Sequence, residues 1–263
     1  MTSAANAPFF TVVTVCLNAE EHIRAALASV LAQGRSDFEY LVVDGASTDD
    51  TLQIVNSFAG RFEGRLRVVS EPDEGLYDAM NKALLLACGE YIAFLGADDS
   101  LTPSALDAVA RAVSRVSRPD IVCGATRVVG PSGEWTEPPR SFAASPIPKR
   151  APARHQSMFV RREMVIAAGG FETAFPIAAD YELYLRLHES GAGELLIDDV
   201  LSRFALGGAS SADSLRTAME YRDIHVAHGA NPLLENVLAY KSAFAADTVA
   251  AWMRLRHRLR EGR

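Results

Sequence analysis

A chain of 263 residues, 49% hydrophobic and 22% charged, has the make-up of a soluble globular protein of one or two domains with enough apolar sequence for a sizeable core. Its net charge of -7 argues against a general nucleic-acid binder, and no nucleic-acid partner is expected. Cys16, Cys88 and Cys123 are odd in number, widely spaced and set in apolar runs, so they read as reduced core thiols rather than a disulfide frame or zinc site. No basic segment precedes the apolar run Phe9–Leu17, and no stretch approaches the ~18 apolar residues of a transmembrane helix. A cytoplasmic location is expected.

The first half alternates strand and helix. Phe9–Leu17 is apolar and β-branched. Glu21–Gln33 carries helical periodicity through Ile23, Leu27, Val30 and Leu31. Strand patterns follow at Phe38–Asp44, Leu66–Ser70 and Tyr91–Leu95, separated by helices over Thr51–Phe58 and Leu76–Cys88. A further helix is expected from Pro103 to Val116, capped by Thr102 with proline at its first position. Such alternation predicts a mainly parallel sheet flanked by helices. The second half is less regular. Asp120–Val129 reads as a strand, with a turn at Gly130–Gly133 leading to another, and residues Pro138–Pro152 hold five prolines and read as an irregular crossing. A strand (His155–Val160), a short helix (Arg162–Ala168), an amphipathic helix (Ala179–Glu189) and two short strands (Leu195–Asp198, Val200–Phe204) follow. The chain then runs through a Gly-Ser loop at Gly207–Ser211 into two helical stretches divided by Asn231-Pro232.

Each early strand ends in polar, mostly acidic residues: Asn18-Ala19-Glu20, Asp44 to Asp49, Glu71 to Gly75, and Asp98-Asp99. In a parallel sheet these ends share one edge, where α/β folds open their ligand crevice. Adjacent carboxylates there can hold a hard divalent cation that grips a diphosphate, although an isolated Asp-Asp is also read as a solvated turn. So much negative charge in one crevice calls for a bound cation or hydrogen-bond donors from a ligand. Neither a GxGxxG nor a GxxxxGK[ST] motif is present, which excludes a dinucleotide fingerprint and a P-loop.

Thr11 to Glu20 (TVVTVCLNAE), Val42 to Asp49 (VVDGASTD), Asp73 to Ala83 (DEGLYDAMNKA) and Phe94 to Asp99 (FLGADD) resemble successive motifs of family 2 glycosyltransferases, the third resembling a subgroup that builds bacterial polysaccharides and glycolipids. The resemblance covers about Phe9 to Ser211. It implies a GT-A-like fold over residues 1–215, with a nucleotide-binding half (1–100) and an acceptor-binding half (101–215), followed by a C-terminal helical extension (216–263). It also implies transfer of a sugar from a nucleoside-diphosphate sugar, UDP-linked in first preference and GDP-linked in second. Carried over residue by residue, Thr14, Val15, Asn18 and Glu20 would line the nucleoside pocket and Asp44 would accept a hydrogen bond from the base, with Ser47 beside it. Asp73, Tyr77, Asp78 and Asn81 would shape the nucleotide or donor-sugar pocket, next to Ala97 and Asp98. Asp98, with Asp99, falls on the metal-binding part of the DxD motif and implies Mg²⁺ or Mn²⁺. Gly96 stands where many relatives have the first aspartate, so one protein ligand is missing. Asp49 and Asn81 also read as a helix cap and a surface polar residue.

Downstream, the resemblance assigns Asp180 as catalytic base, in the first turn of a helix whose buried stripe is expected at Leu183, Tyr184 and Leu187. A capping role alone is the alternative. His155 and Gln156 fall in a stretch that, by the resemblance, passes below the acceptor site, His155 reading either as a hydrogen-bond partner of the diphosphate or acceptor or as a satisfied structural histidine, and Gly208 and Ser210 fall in a loop read either as a lid or as a simple connection. The QxxRW signature of processive synthases is absent, so one sugar per encounter is expected. Residues Tyr240–Arg263 mix Phe244, Trp252, Met253 and Leu255 with arginines, a pattern read either as a membrane-surface helix suited to a lipid-linked acceptor or as a packed terminal helix with a basic end. An inverting, metal-assisted transfer to a cell-surface glycan or glycolipid is the expected activity. The alternatives are a nucleotidyltransferase and a catalytically silent nucleotide-sugar or glycan-binding protein.

Overall fold

The structure is a computed structural model and describes residues 7–130, 133–142, 147, 150–206 and 214–242. Strands β1 (Phe10–Cys16) and β2 (Phe38–Asp44) are buried along their whole length, as near-continuous Val, Phe and Tyr runs require when helices cover both faces. They pair in parallel with each other, β2 with β3 (Leu66–Ser70) and β1 with β4 (Tyr91–Phe94). Helices α1 (Ile23–Leu31), α2 (Thr51–Phe58) and α3 (Leu76–Leu86) supply the crossovers. The sheet continues through β8 (Met158–Arg161) and β6 (Ile121–Gly130) to β9 (Glu194–Ala205) and β5 (Ser100–Leu101), with β7 (Gly133–Glu137) pairing on β6. The order is β3-β2-β1-β4-β8-β6-β9-β5. Parallel pairing predominates, and the antiparallel contacts gather around β8, β7 and β5.

Side-chain alternation divides the core into two layers. Phe10, Val12, Tyr40 and Val42 face α1, α2 and α4 (Ala105–Val113), while Val13, Val15, Leu41 and Val43 face the layer of α3, α5 (Arg162–Ala167) and α6 (Ala179–Glu189). Leu183, Tyr184 and Leu187 are buried in α6, as expected.

Four expectations are corrected. Helix α4 starts at Ala105, not at Pro103, because the chain first forms β5, and the Thr102 hydroxyl donates to the Val200 carbonyl of β9 at 2.6 Å instead of capping. His155–Ser157 form a 3-10 turn before β8 rather than the start of a strand. The two strands expected near Leu195 and Val200 are one, β9, whose register against β6 shifts near Gly124; Asp198 and Asp199 break the apolar pattern without breaking the strand. Cys16 and Cys123 are buried, but Cys88 is exposed at the end of α3. Burial, with Asp44 next to it, pushes the Cys16 thiol up to about 12, so it is inert.

The chain divides into two units, Met1–Leu206 and Gly207–Arg263. Within the second, α7 (Ser214–Ala227) is followed by helical residues 232–242. Asn231 caps this last helix through its side-chain oxygen, which accepts from Leu233 N at 2.9 Å, with Pro232 in the first helical position. His225 and Glu235 pair at 2.8 Å. Among the described residues no helix is long and apolar enough to cross a membrane. Most of the basic stretch Tyr240–Arg263 lies outside the described residues.

Candidate active site

Because β1 to β4 are parallel, the four acidic loops after them lie along one edge, and hydrogen bonds stitch them together. Asn18, in left-handed backbone (φ 49), accepts from Thr48 N at 2.9 Å, and its own N–H donates to Ser47 Oγ at 2.8 Å. Glu20 and Asp49 brace each other's loops: Glu20 accepts from Asp50 N (2.9 Å), and Asp49 from Glu20 N (3.1 Å) and Thr51 N (3.0 Å). Asp49 is therefore a local cap as well as a bridge; burial is the largest single effect on its carboxyl and pushes it up, yet these bonds together hold it below the usual carboxylate range.

The sequence-assigned nucleoside residues separate into two groups. Asn18, Glu20 and Ser47 lie at the accessible edge. Thr14 and Asp44 are fully buried. Period-two alternation sends the Thr14 side chain into the α1 layer, where its hydroxyl meets the Tyr40 hydroxyl at 2.9 Å, and sends Val15 into the opposite layer. Asp44 accepts from Ser47 N (3.0 Å), from the Ser47 hydroxyl and from Ser70 Oγ (2.7 Å), so its carboxylate orders the loop from within. Gly45 follows it in close contact with the next loop: a Cβ there would meet Asp73 Oδ2 at 2.5 Å and push that carboxylate aside. Asp73 in turn accepts from Gly75 N at 2.9 Å, and Asp78 from Glu74 N at 3.0 Å while pairing with Lys82. Asn81 is not a surface residue. Its side chain makes both hydrogen bonds available to the Phe171 backbone, at 2.9 and 2.8 Å.

The Asp-Asp pair sits on a tight turn closed by Asp99 N donating to Gly96 O at 3.1 Å. Ala97, half-buried, forms its bend. Asp98 is exposed and Asp99 is buried. A Cβ at position 96 would meet Asp99 Oδ2 at 2.6 Å and Asp98 Oδ1 at 2.8 Å, so Gly96 opens the space into which both carboxylates converge. Both oxygens border that space, and with diphosphate oxygens and water completing the shell a carboxylate pair of this kind suits Mg²⁺ or Mn²⁺. Among the described residues no cluster of three or more ligating side chains exists, so an all-protein cage is not available. Asp99 also accepts from Gln156 Nε2 (2.6 Å) and Ala205 N (3.3 Å). Burial and the neighbouring Asp98 charge raise its carboxyl to about 6, against the pull of His155 and those two donors.

Gln156 links this pair to a second constellation. The next residue back, His155, meets Asp180 Oδ2 through Nδ1 at 3.2 Å, and the Tyr77 hydroxyl donates to Asp180 Oδ1 at 3.0 Å. Tyr77 lies in the first turn of α3, directly after the Asp73–Gly75 loop, and is set by ring contacts with Phe171, which also packs edge-on against Phe94. Burial disfavours charge on both members of the His155–Asp180 pair, yet their mutual hydrogen bond and attraction win: the His155 pKa is raised and that of Asp180 lowered, the latter aided by Tyr181 N and Tyr77. Asp180 is thus kept as a carboxylate, about one-fifth exposed, with donors on both oxygens. Motif matching named Asp180, Tyr77 and His155 but not their contact, since residues 77, 155 and 180 share no periodicity. The buried hydroxyl cluster of Thr126, Ser157 and Ser202, which seats the His155–Ser157 turn, was missed outright; polar residues inside otherwise apolar strands were its signal. Gly208 and Ser210 lie outside the described residues.

Residues 11–172 match the sequence profile of Glycosyl transferase family 2. The chain is 33% identical over 187 residues to a "PGL/p-HBAD biosynthesis glycosyltransferase" of Mycobacterium bovis, covering 71% of this chain and 72% of that one. It is 28% identical to the chondroitin synthase of Pasteurella multocida, over 80% of this chain and 22% of that protein. In fold it resembles S. aureus TarS 1-349 in complex with UDP-GlcNAc (TM-score 0.67, 21% identity, 86% of this chain and 69% of that one). It also resembles the mannosyltransferase PcManGT from Pyrobaculum calidifontis in complex with GDP-Man and Mn²⁺ (TM-score 0.64, 23% identity, 94% and 76%). The acidic sheet edge, the GT-A fold and the profile match agree: the chain belongs to glycosyltransferase family 2 and is an enzyme of the glycosyltransferase type.

Proposed function

We propose that this protein is an inverting transferase that moves a sugar from a nucleoside diphosphate, UDP in first preference, to a hydroxyl of a glycan or glycolipid acceptor. One observation carries the reading: two neighbouring residues of one turn reach both sites, Gln156 hydrogen-bonding Asp99 of the Asp98-Asp99 pair and His155 hydrogen-bonding Asp180, which also accepts from Tyr77, so a diphosphate-type carboxylate pair is tied to a poised general base. The loops bearing Asn18, Glu20 and Ser47 receive the nucleoside, with Asp44 shaping them from below. Asp180 takes the proton from the acceptor hydroxyl as its oxygen attacks the anomeric carbon and the diphosphate departs from the opposite side. One base and one leaving group suit a single displacement with inversion. Mg²⁺ or Mn²⁺ at Asp98, with Asp99 behind it, would supply positive charge to the departing diphosphate.

The relatives named for PGL/p-HBAD biosynthesis and for chondroitin synthesis support a glycan or glycolipid acceptor. The basic, Trp-bearing sequence at 240–263 supports work at the cytoplasmic face of a membrane.

Asp180→Asn tests the assignment. It keeps the shape and the Tyr77 contact but cannot accept the proton, so transfer should fall about 10²–10⁴-fold. Thermal stabilisation by UDP, in a panel with GDP, dTDP and CMP, should persist. Undiminished transfer would remove Asp180 from the mechanism, and no response to any nucleotide would sink the donor reading.

A further inference from the structure

Strand β7 is a short polar strand (GEWTE), yet it holds Trp135 at 40% exposure. A single exposed aromatic is unremarkable. This one is held in place. Its indole edge lies over Gly130, where a Cβ would meet Trp135 Cζ3 at 3.3 Å and Leu206 Cδ1 at 2.9 Å. Its Nε1–H donates to Glu137 Oε1 at 3.2 Å, and Glu137 is gripped by both arms of Arg154 at 2.9 and 3.2 Å. The Arg154 guanidinium lies 4.2 Å from the Phe204 ring centroid, and Leu206 is 42% exposed. An aromatic ring fixed by such a ladder loses little freedom when something stacks on its open face.

The position relates the ladder to the chemistry. Trp135 pairs with Val128 and Val128 with Phe204, while one pleat back Glu137 pairs with Thr126 and Thr126 with Ser202. These six residues share one face of the sheet, and on that face the Thr126 and Ser202 hydroxyls hold Ser157 of the turn that carries His155. Arg154 is the residue before His155, which holds Asp180. A surface therefore leads from the general base through Arg154 and Glu137 to the exposed indole.

We propose that Trp135, framed by Glu137 and Arg154, is a stacking platform for a pyranose ring of the acceptor, adjacent to the ring that receives the sugar. The proposal rests on the transferase reading above. A pyranose has one face rich in C–H groups and a rim of hydroxyls. The indole takes the former, and the carboxylate and guanidinium take the latter as acceptor and donor. The charged rim is a neutralised pair, which fits a neutral hydroxylated ring better than a phosphate or an anionic headgroup.

The test uses saturation-transfer NMR on the full chain with methyl glycosides of β-D-glucopyranose, β-D-galactopyranose, α-D-mannopyranose and α-L-rhamnopyranose, and with UDP alongside. At least one pyranoside should receive saturation on its C–H face. Trp135→Ala should cut that transfer about 5-fold or more, Trp135→Phe should retain most of it, and the UDP signal should be unchanged in both. Trp252→Phe leaves Trp135 as the one indole of the chain, whose emission should then shift on titration with the same pyranoside, a reading that does not depend on how Trp135→Ala folds. No pyranoside binding to the wild type, or equal transfer in Trp135→Ala, would overturn the platform. Failure of UDP alone to bind would overturn the donor reading and leave the platform standing on its own result.

Discussion

Asp99 shows how one side chain in this site is set by its surroundings rather than by its type. Its carboxyl is buried against a second carboxylate and raised to about 6, while the unfolded chain keeps the ordinary value near 4. The sign follows from proton linkage. Between about pH 4 and 6 the folded state binds the extra proton, so Asp99 opposes folding increasingly as pH rises through that window. Asp99→Asn removes the charge while retaining a group that accepts from Ala205 N. In the metal-free protein it should therefore raise stability above pH 6, on the order of 1–3 kcal/mol, with little effect near pH 4. Chemical unfolding at the two pH values checks this; equal effects at both would mean the carboxyl titrates normally. The FLGADD motif made the pair visible in sequence. Which member is exposed and which is enclosed depends on Gln156 and Ala205, 57 and 106 residues away.

At the level of elements, the site depends on how α3 is tied to the segment before α6. Asn81 makes two hydrogen bonds to the Phe171 backbone, and Phe171 stacks on Tyr77 with rings 5.5 Å apart, which aims the Tyr77 hydroxyl at Asp180. Asn81→Ala strands a partly buried N–H and C=O, each worth about 1–3 kcal/mol when unpaired, so Tm should fall by several degrees. Transfer should decline with it, because Tyr77 loses its support, while UDP binding is less affected. An unchanged Tm would show that this tie is dispensable. The strands and helices of the first half were readable because both faces of β1 and β2 are covered and their apolar runs are bounded by turn residues. Helix α4 was misplaced because β5 exists only through pairing with β9, a partner about 100 residues downstream. A two-residue strand has no periodicity of its own.

For the whole molecule, the balance of charge sets the conditions of binding. An acidic protein with a net charge of -7, whose crevice loops carry Glu20, Asp49, Asp73 and Asp98, has no electrostatic reason to hold a nucleoside diphosphate unaided. Removal of divalent cations with EDTA should abolish most of the UDP-induced rise in Tm, and Mn²⁺ or Mg²⁺ in excess should restore it. Asp98→Ala should behave like the metal-free wild type. An identical UDP response with and without EDTA would mean that backbone and side-chain donors alone neutralise the diphosphate. The parallel sheet, the acidic edge and the family are legible along the chain, because alternation, turn chemistry and motif order are local properties. Packing in three dimensions settled which of those residues meet. The packing of Phe94, Phe171 and Tyr77 and the seating of the His155 turn on Thr126 and Ser202 bring Asp180 to the first turn of α3. It also decided that Thr14 and Asp44 lie beneath the crevice rather than within it, because the direction of a side chain depends on which layers cover its strand.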